Sequence, residues 1–255
     1  MWGLGGQIES YDLDWADAPV RLNDLCDSVQ GGRGCQSHDS KLTWDDMKVL
    51  VIGANGNTGT RVVQLLVDGP HDPIAMIRDP TQRAKFDKLR VQTVLADLEF
   101  PIDHAIRGCD AVIFAAGSGG HTGKDKTVLV DHIGAIRSIV TAQVHGAHRY
   151  VMLSAINADV HSTSRIAHYH KAKAHADNYL RETDLDYTVV CPGSLHDDSG
   201  TGRVVVSAQT QCQGMTSRGN LAAALVACLD LPNTWGATFS LLDGDMPLGQ
   251  ALNDF

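Results

Sequence analysis

Tyr169 and Lys173 are the residues whose types and spacing point most directly to chemistry. They stand at i and i+4 in the run IAHYHKAKAHADNYL, which reads as a helix, so they share one face. A free phenol holds its proton up to a pKa of ~10. A neighbouring ammonium favours the phenolate and lowers that value toward working pH. A tyrosine so placed can give a proton to a carbonyl oxygen as hydride arrives from a reduced cofactor. The lysine can also bond the nicotinamide ribose hydroxyls. Ser154, closing the strand-like run HRYVMLS, would hold the same oxygen by a hydrogen bond. Taken alone, a tyrosine four residues before a lysine also fits an ordinary solvated helix face.

Such chemistry needs a hydride carrier, and residues 48–61 supply a place for one. Lys48 to Ile52 reads as a short buried strand, and Thr60 to Val67 as an amphipathic helix. Between them stand Gly53, Gly56 and Gly59. The first permits a tight turn, the second lets backbone approach a pyrophosphate, and the third lets helix and strand pack closely. The helix N-terminus then faces the phosphates with unpaired N–H groups. The spacing is G-x-x-G-x-x-G rather than G-x-G-x-x-G, so the flanking strand and helix carry the argument. A glycine-rich turn without a ligand is the bland alternative.

The elements that must position these residues follow from Met47 onward. Strands are expected over 48–53, 73–78, 91–96, 110–116, 148–154, 186–191 and 237–242. Helices are expected over 58–68, 80–89, 101–107, 124–145, 165–183 and 217–230, with a less regular stretch after 191. Apolar strands alternating with helices predict an α/β fold: a Rossmann-like, doubly wound parallel sheet with helices on both faces, in three layers. Its ligand crevice lies at the carboxyl ends of the strands. Residues 47–255 are read as one NAD(P)-binding domain with a small C-terminal substrate-binding part. Residues 1–46 lack periodicity and are read as a loosely ordered extension, with Tyr11, Trp15 and Trp44 as candidate anchors and Asp24 to Val29 as a candidate helical turn. Met47 is an alternative natural start.

Cofactor choice turns on the end of the second strand, Met76-Ile77-Arg78-Asp79. NAD-binding domains present a carboxylate there to the ribose 2′-hydroxyl. Arg78 instead suits a 2′-phosphate, and Arg61 could assist. NADP(H) is therefore expected, with NAD(H) possible should Asp79 face the ribose. The small Ala115, Ala116 and Gly117 would let backbone lie against the adenine ribose.

GANGNTG, MIRDP, FAAG, the Ser154…Tyr169-x-x-x-Lys173 set and DLDYTVVCPGSL together resemble the short-chain dehydrogenase/reductase superfamily. The likeness is to its atypical NAD(P)H-binding branch, which includes biliverdin/flavin reductase B-type and NmrA-like proteins. It implies that Gly53, Asn55, Gly56, Asn57, Thr58 and Gly59 cradle the cofactor and that Asp97 and Leu98 meet the adenine. It implies that Pro192 and Gly193 border the nicotinamide, with Ser154, Tyr169 and Lys173 as the catalytic set. The segment 195–216 would close over a small substrate. Two positions depart from the branch: Asp131 stands where an asparagine often completes a proton relay, and Cys191 where arginine is frequent. The implied activity is NADPH-dependent reduction of a small carbonyl or conjugated compound. Flavin or quinone reduction and non-catalytic NADP(H) sensing are alternatives, and a sugar epimerase is disfavoured by the short C-terminal part.

Composition narrows the field. A chain of 255 residues can bury a full core. A net charge of −9 argues against nucleic acid or anionic membrane as the main partner. No apolar run nears the roughly 18 residues of a membrane span. The six cysteines are scattered and are read as reduced thiols in a cytoplasmic protein. No metal site is expected, because His168 and His170 point to different helix faces and His175 is too distant from either. His121, in a glycine-rich loop, is a candidate substrate contact. The expected partner is a small-molecule substrate, and the expected state a monomer or small homo-oligomer.

Overall fold

A computed structural model describes residues 46–119 and 122–255. The expectations for residues 1–45 and for His121 lie outside the described residues.

Among the described residues, nine strands form the main sheet in the order β11-β8-β10-β6-β5-β4-β1-β2-β3. Third from one edge is β1 (Lys48–Ile52), flanked by β2 (Asp72–Ile77) and β4 (Ala111–Phe114), both parallel to it. Outward on one side lies β3 (Gln92–Leu95). On the other lie β5 (Arg149–Leu153), β6 (Asp186–Pro192) and β10 (Ala237–Asp243), all parallel. The order reverses at β1 and β4, which opens a crevice beyond their carboxyl ends.

Side chains of the central strands alternate between two cores. Val49 and Val51 enter one core, and Leu50 and Ile52 the other. The first core is covered by α1 (Asn57–Val67), α2 (Arg83–Asp87), α6 (Arg218–Ala227) and α7 (Leu248–Asn253). The second is covered by α3 (Asp103–Ile106), the long helix α4 over 124–145 and α5 (Ala167–Arg181). This is the expected Rossmann-like, three-layer fold. Each fully buried Val, Leu, Ile or Phe contributes about 1.5–3 kcal/mol, so apolar strands buried on both faces are what hold the layers together.

Three features depart from the expectations. The stretch after β6 is more regular than its polar composition suggested. β7 (Ser194–His196) and β9 (Met215–Ser217) form a small parallel pair, and β8 (Arg203–Ser207) joins the main sheet. β8 runs antiparallel to β10, and β11 (Met246–Pro247) antiparallel to β8, so that edge of the sheet is mixed. Finally, α4 is not uniformly α-helical: Thr127–Gly134 is a π-helical stretch between Lys124–Lys126 and Ala135–His145.

The turn from β1 to α1 is set by backbone proximity. Gly53 has φ +82°, and a Cβ there would lie 2.7 Å from Ala116 backbone atoms at the end of β4. A Cβ at Gly59 would lie 2.2 Å from the Gly53 carbonyl oxygen. Gly53→Ala should therefore destabilise the fold by about 2 kcal/mol or more, from left-handed strain plus overpacking. Urea denaturation would read this, and wild-type stability in the variant would contradict the geometry.

Candidate functional site

The glycine turn lies between strand and helix, as the sequence put it. α1 begins after Gly56, which has no side chain to cap it, and no acidic residue stands in the first turn. Its first N–H groups, including those of Asn57, Thr58 and Gly59, are left for an anion. Beside it opens a cleft of ≈ 270 Å³ at the carboxyl edge of the sheet. Of the residues read from sequence, Gly53, Asn55, Gly56, Arg78, Asp97, Leu98, Ala115, Ala116 and Gly117 line it. Ile52, Met76, Gln82, Ala96, Ser118 and Val130 complete the wall. An open cleft, close backbone and an uncapped helix end fit a dinucleotide.

The end of β2 is resolved in detail. Arg78 is exposed and lines the cleft. The Asp79 carboxylate turns instead into the following 3-10 turn, accepting from Thr81 N at 2.8 Å and Thr81 Oγ1 at 2.6 Å. Those bonds hold it below the ordinary carboxylate range. Lys85 on α2, not foreseen, reaches back to Thr60 Oγ1 at 2.6 Å and Asn55 Oδ1 at 3.4 Å. Arg61 does not join Arg78 in the lining. It bonds the Asn57 carbonyl oxygen at 2.7 Å and lies 3.8 Å from Asp197, which also pairs with Arg218 at 3.0 Å. Asp97 Oδ1 accepts from Glu99 N at 3.0 Å, so part of that carboxylate shapes its own turn.

Pro192 and Gly193 are buried behind β9 rather than lining the cleft, and Gly193 N donates to Thr216 Oγ1 at 2.9 Å. The thiol of Cys191 is pushed up to about 12 by burial first, with Asp177 adding to it, which suits packing rather than nucleophilic work. Among the described residues no group of three His, Cys, Asp or Glu side chains could hold a metal ion. His175 stacks on His132, with ring centroids 4.8 Å apart.

Tyr169 and Lys173 meet as the helical spacing required, with the ammonium 5.8 Å from the phenol ring centroid. Lys173 is 2% exposed, and its Nζ lies 3.3 Å from Asp131 Oδ1, 3.2 Å from Leu153 O and 3.4 Å from Ala116 O. The two carbonyl oxygens accept hydrogen bonds, whereas Asp131 Oδ1 makes an ion-pair contact without hydrogen-bond geometry. A bond to ribose, expected from sequence, would compete with these contacts. Burial works against this ammonium, but Asp131, Tyr169 and Asp177 more than offset it and hold the lysine above its usual value. Tyr169 departs from the simple expectation. Burial pushes its phenol up, Lys173 pulls it down, and Asp131, Asp177 and Cys191 push up again; the net direction is up.

Ser154 is 2% exposed and its hydroxyl donates to Asp177 Oδ2 at 2.5 Å. Its proton is engaged away from Tyr169. Asp177 was not singled out in the sequence, because an aspartate on a helix ordinarily faces water. Here it is 1% exposed, and its Oδ1 has no hydrogen-bond partner.

The chain belongs to the NAD(P)H-binding family, whose model matches residues 53–232. It is 42% identical to the "Uncharacterized sugar epimerase YhfK" of Bacillus subtilis, over 81% of this chain and 99% of that protein. It is 32% identical to UPF0659 protein YMR090W of Saccharomyces cerevisiae, over 79% of this chain and 96% of that one. Among solved structures it resembles a "Putative NAD-dependent epimerase/dehydratase" from Bacillus halodurans, at 37% identity and TM-score 0.78, covering 82% of this chain and 100% of that chain. ChuY, an anaerobillin reductase from Escherichia coli O157:H7, shares the fold at 22% identity and TM-score 0.66, covering 78% of this chain and 98% of its own.

Asp177 makes stability depend on pH. Burial raises its carboxyl from 3.8 to about 6, against the opposing pull of Ser154, Arg181 and Lys173. The folded chain therefore binds this proton more tightly than the unfolded chain. The resulting stabilisation is full below the unfolded value and is lost as pH rises through the folded one. Its extent is about 3 kcal/mol at most. Asp177→Asn should lack this loss, so its stability relative to wild type should rise between pH 4 and pH 8. Urea melts at both pH values check it, and parallel pH slopes would refute it.

Proposed function

We propose that this protein is an NADPH-dependent reductase that delivers hydride to a small carbonyl or conjugated acceptor. The observation that carries the reading is the Tyr169 phenol ring 5.8 Å from the buried Lys173 ammonium, which bonds Ala116 in the cleft wall. Bound NADPH would supply the hydride. Tyr169 then gives its phenolic proton to the substrate oxygen, and its raised pKa keeps that proton in place at neutral pH. Lys173 offsets charge developing on the phenolate. Ser154 serves as oxyanion partner only if substrate draws its hydroxyl from Asp177.

Arg78 supports the phosphorylated cofactor, since the Asp79 carboxylate is committed to its own turn. A guanidinium–phosphate contact is worth roughly 1.5–3 kcal/mol, or about 10- to 150-fold in affinity. Wild type should bind NADPH at least about tenfold more tightly than NADH. Arg78→Ala should weaken NADPH and leave NADH nearly unchanged. Calorimetric titration of both nucleotides into both proteins decides this, and equal affinities in wild type would return the choice to NAD(H).

The engaged Ser154 favours a second reading, reduction of a flavin or quinone. A flat acceptor needs little beyond placement against the nicotinamide. The names of the epimerase-like relatives suggest a third, but the part following β6 is small and largely spent on the sheet edge. NADPH oxidation assayed with carbonyls, quinones and flavins separates them. Under the leading reading, Tyr169→Phe loses about 10²–10⁴-fold of carbonyl turnover with NADPH affinity retained. Full activity in that variant would discard the phenol as acid.

A further inference from the structure

Asp131 is the most completely buried carboxylate in the site, at 0% exposure. It sits within the π-helical stretch Thr127–Gly134 of α4. A π-turn is rare and is frequently found at functional sites. Its two oxygens serve different elements. Oδ1 lies 3.3 Å from Lys173 Nζ on α5, and Oδ2 accepts from Ser118 N at 2.9 Å, in the loop that continues β4. That loop comes so close that a Cβ at Gly117 would lie 3.2 Å from Oδ1. Gly117 and Ser118 line the cleft, and Lys173 bonds Ala116 beside them.

We propose that Asp131 is a positioning residue, a buried counter-charge that fixes the Lys173 ammonium and the Gly117–Ser118 backbone at one point of the cleft wall. The proposal rests on the reading of Tyr169 and Lys173 as the chemical pair. A lone buried ammonium would be strongly disfavoured, and a lone buried carboxylate equally so, whereas together they are tolerated. The pairing also decides how much positive potential reaches Tyr169. An uncompensated lysine would draw the phenol toward phenolate, whereas one matched by Asp131 leaves it protonated. The other groups facing this pair are Asp177 and His170 on α5 and Cys191 on β6, with the Phe114 ring of β4 under the ammonium at 5.6 Å. Asp177 also pushes the phenol up, but Asp131 is the carboxylate in contact with the ammonium, at 3.3 Å, so its removal should move Tyr169 most directly.

The test reads the phenol directly. Ultraviolet difference titration, with Tyr169→Phe subtracted, gives the apparent pKa of Tyr169 in the full chain without turnover. Asp131→Asn keeps an oxygen for Ser118 and removes the charge. It should lower the Tyr169 value by about 1–3 pH units. Asp131→Asn/Lys173→Gln, neutral on both sides, should return it toward wild type. An unmoved value in the single variant, or the same value in single and double, overturns the proposal. If Asp131→Asn fails to fold, recovery of folding in the double variant supports the pairing, and failure of both overturns it. Because no substrate is involved, the outcome is independent of which acceptor the protein reduces.

Discussion

Three stretches of backbone converge beyond the end of β1, and the site depends on their being able to touch. The carbonyl of Gly53 lies where a Cβ at Gly59 would be, and Ala116 lies where a Cβ at Gly53 would be. This contact brings the first turn of α1 down onto the strand and leaves its N–H groups open. It also holds the end of β4 beside the end of β1, which opens the cleft. Larger side chains would force these three segments apart and fill the space that a nucleotide needs. The surrounding apolar layers supply the stability that makes so close an approach tolerable.

Beyond that contact the interior is organised by a few buried polar groups. Lys173 is matched by Asp131, and Ser154 by Asp177. At the start of β5, away from the cleft, the fully buried Arg149 bonds Thr188 Oγ1 at 2.6 Å and the carbonyl oxygens of Asp186 and Cys228. The two ends of the central strands thus differ in kind. One is tied by a guanidinium to backbone oxygens, and the other holds titratable groups whose protonation responds to each other. Rigidity at the first end supports a geometry at the second that depends on charge.

Much of this was legible in the sequence because it rests on local signals. Apolar strand runs alternating with helical runs pointed to the layers, and the glycines marked the turn. The i, i+4 spacing was enough to bring Tyr169 to Lys173. What was not legible depends on where distant segments meet. Lys85 contacts Thr60 only because α2 packs back beside α1. Asp177 looks like a solvated helix residue until β5 places Ser154 against it. The direction of the Tyr169 shift was misjudged because spacing reveals the ammonium but not the burial, nor the carboxylate on another helix that offsets it. β8 and β11 went unseen because short edge strands need a partner to be recognised.

The π-helical stretch of α4 has a consequence for how the chain can change. Such a stretch carries one more residue than the α-helix it interrupts. Removing a residue between Asp131 and Gly134 would let regular winding close locally and change which residue of this turn faces Lys173. Asp131 would swing away from Lys173 while the apolar residues of Ala135–His145 stayed packed. A single-residue deletion in this short window is therefore expected to disturb the site before it disturbs the fold. Point substitutions elsewhere on the same helix leave that register alone.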